Sequence, residues 1–326
     1  MVEGQAQGEG AVQIVPQDVS KMILGSFFRN AAEHPERCAV VDREGGRFTS
    51  YGTFAGMVNA IGSMLRENGV GAIEPRFIGE KNIADLTTQE AKALRAALGD
   101  IRVSAIGSPL GKIGLADAFA PHLEKAKRVF ETANLLGTGN VRVFCFYLRP
   151  GQTRADARAE VLERMDAMLT LAEEFGVTLC HENEADIYGE SPEDCLDLLD
   201  AFGGRLRCVF DMGNFVLGGY APWPKAYEQL KGYVEYFHVK DALSQGAIVP
   251  PGCGEGCIAE ILGQFVRETG RDVFATLEPH LQTFDGLNAL TERRFENLYV
   301  YKDQRAAFAD ALRRFRALML GKELEA

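Results

Sequence analysis

Four places in this 326-residue chain put an acid or a histidine directly after an apolar run. They are Thr178-Leu179-Cys180-His181-Glu182, Cys208-Val209-Phe210-Asp211, Tyr236-Phe237-His238 and Ala275-Thr276-Leu277-Glu278. Three carboxylates and one imidazole brought to one place make a mixed oxygen and nitrogen site, which suits Mn²⁺, Mg²⁺, Co²⁺ or Zn²⁺ and excludes a soft, thiolate-bound metal. Taken singly, each residue has a plainer role. A strand-end acid commonly caps the next helix or pairs with a loop cation, and a strand-end histidine is as readily a satisfied core residue. Four in succession, at the same end of consecutive expected strands, point instead to one metal site made of Glu182, Asp211, His238 and Glu278.

The elements that must position them read as β-then-α units. Apolar runs at Ala72 to Ile78, Ile101 to Ile106, Val141 to Tyr147, Val177 to His181, Leu206 to Phe210, Tyr233 to Val239 and Val273 to Leu277 alternate with amphipathic stretches. In Ala155 to Phe175, for example, Val161, Met165, Met168, Leu169 and Ala172 share one helical face. Strands of this kind, without strict alternation, suit a parallel sheet covered by helices. No dinucleotide-type glycine fingerprint follows the early strands, and polar residues recur at strand C-termini, so a closed (β/α)₈ barrel is favoured over an open doubly wound sheet. The first unit is irregular or partly replaced: Lys21 to Phe28 would be its strand and Phe54 to Glu67 its helix. The expected organisation is a disordered tail over residues 1–18 and one barrel domain over residues 19–326, with 28–70 of uncertain origin.

Composition narrows the partners. At 46% apolar and 25% charged side chains the chain can bury a sizeable core. A formal net charge of −11 and a pI near 5.1 oppose a nucleic acid partner, which needs clustered Lys and Arg. The seven cysteines are scattered, several inside apolar runs, and read as reduced core residues of a cytoplasmic protein. Cys253 and Cys257 lack the further ligands of a zinc site. No apolar stretch approaches the roughly 20 residues needed to span a bilayer. Self-association, or a small accessory subunit, is left open.

From Ala72 onward the chain resembles the xylose isomerase-like barrels, the sugar phosphate isomerase and epimerase group. KNIADLT (81–87), VSAIGSPLGK (103–112), HENE (181–184), FDMGNF (210–215), FHVKDA (237–242), VPPGCGEG (249–256) and LEPHL (277–281) carry the likeness in family order. It implies one divalent metal, Mn²⁺ foremost, on Glu182, Asp211, His238 and Glu278, with Glu182 and Glu278 also moving the proton beside a substrate carbonyl. Residues 28–70 separately resemble the opening of adenylate-forming enzymes, but no phosphate loop follows and adenylation chemistry is not implied.

One departure from the epimerases stands out. Where they carry a histidine three residues after the metal-binding aspartate, this chain has Asn214, which can hydrogen-bond a hydroxyl but not shuttle a proton. Further candidates for substrate contact are Lys240, His280, Glu74 and Trp223, the last in a loop that could close over a sugar face. The expected activity is a metal-dependent isomerase or epimerase acting on a sugar or polyol through an enediolate. The alternatives are a lyase on the same scaffold, of inosose dehydratase or 3-keto-glycoside type, and a non-catalytic sugar-binding barrel.

Overall fold

The structure is a computed structural model that describes residues 38–41, 48–50, 65, 67–79, 81–283 and 299–321. The expected tail and the expected first strand, Lys21 to Phe28, lie outside the described residues, as does all of the expected helix 54–67 except positions 65 and 67.

The chain divides into two compact units. The first comprises the described residues as far as Gly71, with Ile78–Lys81 and Leu86–Ile101. It contains an antiparallel pair, β1 (Cys38–Val41) and β2 (Phe48–Ser50), with Cys38 opposite Ser50. It also holds α1 (Thr88–Leu98), which begins in a reciprocal cap: Glu90 N donates to Thr87 Oγ1 at 3.3 Å and Thr87 N to Glu90 Oε2 at 2.6 Å.

The second unit carries the barrel wall. Seven parallel strands among the described residues lie side by side in chain order: β3 (Ala72–Ile73), β4 (Arg102–Val103), β5 (Asn140–Val143), β6 (Thr178–Glu182), β7 (Leu206–Asp211), β8 (Val234–Val239) and β9 (Ala275–Leu277). The β4 and β5 segments are joined through Ile106, whose N–H donates to Asn140 O and whose carbonyl accepts from Arg142 N, both at 2.9 Å. The outermost staves meet where Thr276 Oγ1 donates to Glu74 Oε2 at 2.9 Å. This is the wall of a (β/α)₈ barrel. Its β3 is shorter than the run Ala72 to Ile78 suggests, because Pro75 has no N–H for the ladder and the Arg76 carbonyl is taken by Ile83 N.

The helices of this unit are α2 (Phe119–Leu136), α3 (Arg154–Glu174), α4 (Pro192–Ala201), the short α5 (Met212–Leu217) and α6 (Tyr227–Leu230), α7 (Ile258–Thr269) and α8 (Gln304–Met319). Local sequence sets their starts: Thr153 with Asp156 forms a second capping box for α3, and Ser191 caps α4 with Pro192 at its first position. Aromatic rings fill the layer behind β7 and β8, with Phe210 against Phe215 at 5.1 Å and Phe237 against Phe265 at 5.2 Å. With Phe210 and Phe237 turned outward to the helices, alternation turns Asp211 and His238 inward. His122 of α2 is buried and its Nε2 accepts Gly111 N–H at 2.8 Å; burial, with Lys125 and Arg164 nearby, pushes its imidazole down to about 4. No helix among the described residues is long and apolar enough to cross a membrane.

Candidate metal centre

Parallel register converts four separate strand ends into one cluster. His238 pairs with Asp211 across β8 and β7, Glu182 closes β6 beside Val209, and Glu278 follows Leu277, which pairs with Val239. One potential ligand atom from each of Glu182, Asp211, His238 and Glu278 lies within 4.8 Å of the other three. His238 Nδ1 stands 3.0 Å from Glu182 Oε1, 3.4 Å from Glu278 Oε2 and 3.9 Å from Asp211 Oδ2. Glu182, Asp211 and His238 are all but fully buried.

The donor set fits a divalent cation. Glu182 Oε2 and Asp211 Oδ2 are buried oxygens that accept no hydrogen bond, although Arg142 Nη1 and Lys240 Nζ stand 3.1 and 3.0 Å from them. Buried carboxylate oxygens in that condition are costly unless a cation completes them. The electrostatics show the same crowding. Burial pushes Asp211 up to about 6, only partly offset by Lys240, and disfavours charge on Glu182, yet His238 and Arg142 hold Glu182 at about 2. Burial opposes charge on Glu278 too, but Lys240, His238 and His280 keep its carboxyl well below the usual range. For His238 burial is outweighed by Glu74 and Glu182, and the imidazole is lifted well above its ordinary value.

A second ring of residues fixes the first. Asn183 clamps β6 to β7: its Nδ2 donates to Asp211 O and its Oδ1 accepts from Asp211 N, each at 3.0 Å. Asp211 also caps α5, taking Asn214 N–H on Oδ1 at 2.8 Å, which leaves Oδ2 for the centre. Gly213 is required at the start of α5, since a Cβ there would sit 2.7 Å from Lys240 Cγ. Asp241 organises the neighbouring glycine-rich loop. Its Oδ2 accepts Gly252 N–H at 2.8 Å and Gly254 N–H at 3.0 Å; its Oδ1 accepts Gly256 N–H at 2.9 Å and Ala242 N–H at 3.0 Å.

Comparison with known proteins now decides the family: a model of the xylose isomerase-like TIM barrel matches residues 63–315. The chain belongs to the xylose isomerase-like TIM barrel family. No curated protein matches it significantly. Among solved structures it is similar to a probable 3-DHS dehydratase from Bacillus anthracis (19% identity, 79% of this chain and 92% of that one, TM-score 0.59). It is also similar to a xylose isomerase-like TIM barrel protein from Mycobacterium smegmatis in complex with magnesium (17%, 83% and 90%, 0.59). A third is a D-psicose 3-epimerase from Clostridium cellulolyticum H10 (14%, 80% and 93%, 0.60). At these identities the structural likeness establishes the fold.

In this xylose isomerase-like barrel the centre opens on a cavity of about 220 Å³ whose lining includes Arg76, Lys112, Arg142, Phe144, Asn214 and Lys240, together with Glu182, Glu278 and His280. Asn214 donates through Nδ2 to Asn183 O at 2.8 Å and accepts Lys240 Nζ on Oδ1 at 2.9 Å. Lys240 is buried and faces Asp211 and Glu278; Asp241, the alternative partner that adjacency suggests, is occupied by the loop N–H groups. His280 is half-exposed, with Nε2 3.1 Å from Glu278 Oε1.

Two expected substrate contacts are placed elsewhere. Glu74 does not line the cavity: it is buried behind His238, with Oε2 2.9 Å from Nε2 and Oε1 accepting from Tyr236 OH at 3.1 Å, so it orients the imidazole. Trp223 stands outside the cavity lining, because its indole N–H is drawn to Gln264 Oε1 of α7 at 2.9 Å. Sequence reasoning missed Arg142 and Asn183. The signal for Arg142 was a charge inside the apolar run Val141-Arg142-Val143-Phe144, a position that demands a buried counter-charge.

Proposed function

We propose that this barrel is a divalent-metal-dependent isomerase or epimerase acting on a small polyhydroxylated carbonyl compound, with Mn²⁺ as its ion. What supports the reading is that two glutamates of the cluster, Glu182 and Glu278, line the same cavity while each is held by its own cations, Arg142 for one and Lys240 with Arg76 for the other. The cavity lies below the ~300–1,000 Å³ usual for drug-sized ligands, a size suited to a monosaccharide. A divalent cation on Glu182, Asp211, His238 and Glu278 supplies Lewis-acid polarisation of a substrate carbonyl.

The protein's own residues do the rest. Both glutamates are ionised, so one can take the proton beside the carbonyl while the other takes a proton from water and delivers it to the carbon; the first then returns its proton to water, so none is gained or lost. Since their carboxyls are held low they are weak bases, and abstraction depends on stabilising the oxyanion that forms. The Lys240 ammonium, held protonated by Asp211 and Glu278 despite its burial, is placed to contribute to that.

An elimination from the same enediolate is the second reading. Asn214 favours it, because an amide at that position orients a hydroxyl without exchanging its proton, and so does the likeness to a dehydratase. Incubating the Mn²⁺-loaded protein with ketoses, inososes and 3-keto glycosides in D₂O tests both. Deuterium at the carbon beside the carbonyl of recovered sugar is the result expected; release of water or an aglycone would move the assignment to the lyase, and neither event with any substrate would sink both.

A further inference from the structure

Proton transfer between two glutamates does not require the cations that crowd this cavity. Arg142 lies at the end of β5 with its side chain 4% exposed, and its guanidinium carbon is 5.0 Å from the centre of the Phe144 ring. Lys112 Nζ approaches the same ring at 4.3 Å. Two like charges thus converge on one aromatic residue in the cavity lining. Arg142 is also under-used: its buried Nε has no hydrogen-bond partner, Nη2 reaches Ser108 O only at 3.4 Å, and Nη1 stands 3.1 Å from Glu182 Oε2 without a hydrogen bond. A buried guanidinium with idle N–H groups is expensive to keep unless a ligand completes it.

The charges around the cavity argue the same way. Arg142 pairs with Glu182, Lys240 with Asp211, Arg76 with Glu278 and Lys112 with Glu184, one cation to each carboxylate. A dication taken up by Glu182, Asp211 and Glu278 takes over the negative charge that Arg142, Lys240 and Arg76 now share with them, which leaves those side chains to a ligand.

We infer, resting on the metal-enzyme reading above, that the substrate carries a carboxylate, which is bound by Arg142 and Lys112 beside Phe144. The planar guanidinium fork matches a carboxylate in two parallel hydrogen bonds, and the lysine adds a point charge.

The test is calorimetric titration of the full-length, Mn²⁺-loaded protein with matched pairs: 2-keto-D-gluconate against D-fructose, and D-glucuronate against D-glucose, with fructose 6-phosphate as the phosphate arm. Each acid is expected to bind at least tenfold tighter than its neutral partner. Arg142→Met should abolish that preference and Lys112→Met reduce it several-fold, each read as the acid-to-neutral affinity ratio within one and the same protein. Lys112 is partly exposed, so its variant keeps the test valid should Arg142→Met fail to fold. Equal affinities within each pair, a preference that survives both substitutions, a gain confined to the phosphate, or no binding of either acid would each overturn the inference. Titration with Mn²⁺ alone separates the two readings. A protein that binds no Mn²⁺ yet prefers the acids refutes the metal enzyme and keeps the anion site; one that binds Mn²⁺ without preference does the reverse.

Discussion

Replacing Asp241 by Asn should destabilise the protein without touching a metal ligand. The carboxylate accepts four backbone N–H groups, two on each oxygen, at 2.8–3.0 Å. An amide keeps one acceptor and presents an NH₂ to the other two donors. Hydrogen bonds to a charged acceptor contribute about 1.5–3 kcal/mol each, so losing two costs roughly 3–6 kcal/mol. That is a large part of the ~5–15 kcal/mol that holds a domain together. Local opening of the 250–256 loop limits what global unfolding records. The expected signature is therefore a fall in Tm of at least about 5 °C by circular dichroism, together with faster amide hydrogen exchange in peptides spanning 248–258. Gly254→Ala should reproduce it, because a Cβ there collides with Asp241 Oδ1 and the Ala242 carbonyl. An Asp241→Asn protein with unchanged Tm and unchanged exchange in that loop would refute the reasoning.

Three further outcomes are expected. Asp211→Ala and His238→Ala should each lower metal affinity by well over the ~10–100-fold seen for outer residues while leaving the protein folded, as elemental analysis after dialysis and circular dichroism will show. Glu182→Gln and Glu278→Gln keep an oxygen donor but lose the base, so exchange of substrate hydrogen with D₂O should slow by ~10²- to 10⁴-fold at saturating metal. His122, held neutral by burial at about 4 against an ordinary 6.5, makes the unfolded chain bind a proton that the fold refuses. Stability should thus fall as pH drops from 6.5 towards 4, by up to about 3 kcal/mol. Urea unfolding at pH 7, 5.5 and 4.5 should show a decline shallower by that amount in His122→Asn.

The seven-stave wall was readable because strands buried on both faces are near-continuous apolar runs, and Leu206–Asp211 and Val234–Val239 are buried at almost every position. The four candidate ligands were readable for a related reason: an ionisable residue ending such a run breaks the pattern at a fixed place, and register then brings the breaks together. Glu74 carried the same signal but its contact with His238 was not legible, since a strand-end carboxylate that faces solvent and one that backs a histidine look alike in one dimension. Its partners lie 164 and 202 residues away. The bond from the Trp223 indole to Gln264 was not legible, because Gln264 belongs to a helix whose position relative to that loop no local pattern encodes. Asn183 was hidden behind Glu182 in the HENE motif, its role as a clamp arising only once Asp211 stands beside it.

Glu74 has a consequence for how the molecule assembles. One carboxylate both holds the imidazole of His238 and receives the hydroxyl of Thr276, which joins the outermost staves. These contacts span sequence separations among the longest in the chain, so closing them carries a high loop-closure cost and they are expected to complete late in folding. Seam and site would then be finished by the same event: a partly wound barrel would leave His238 unoriented, and the four proposed ligands would not capture an ion at full strength before the wall had closed. Metal uptake in a refolding experiment would then report the last step of folding.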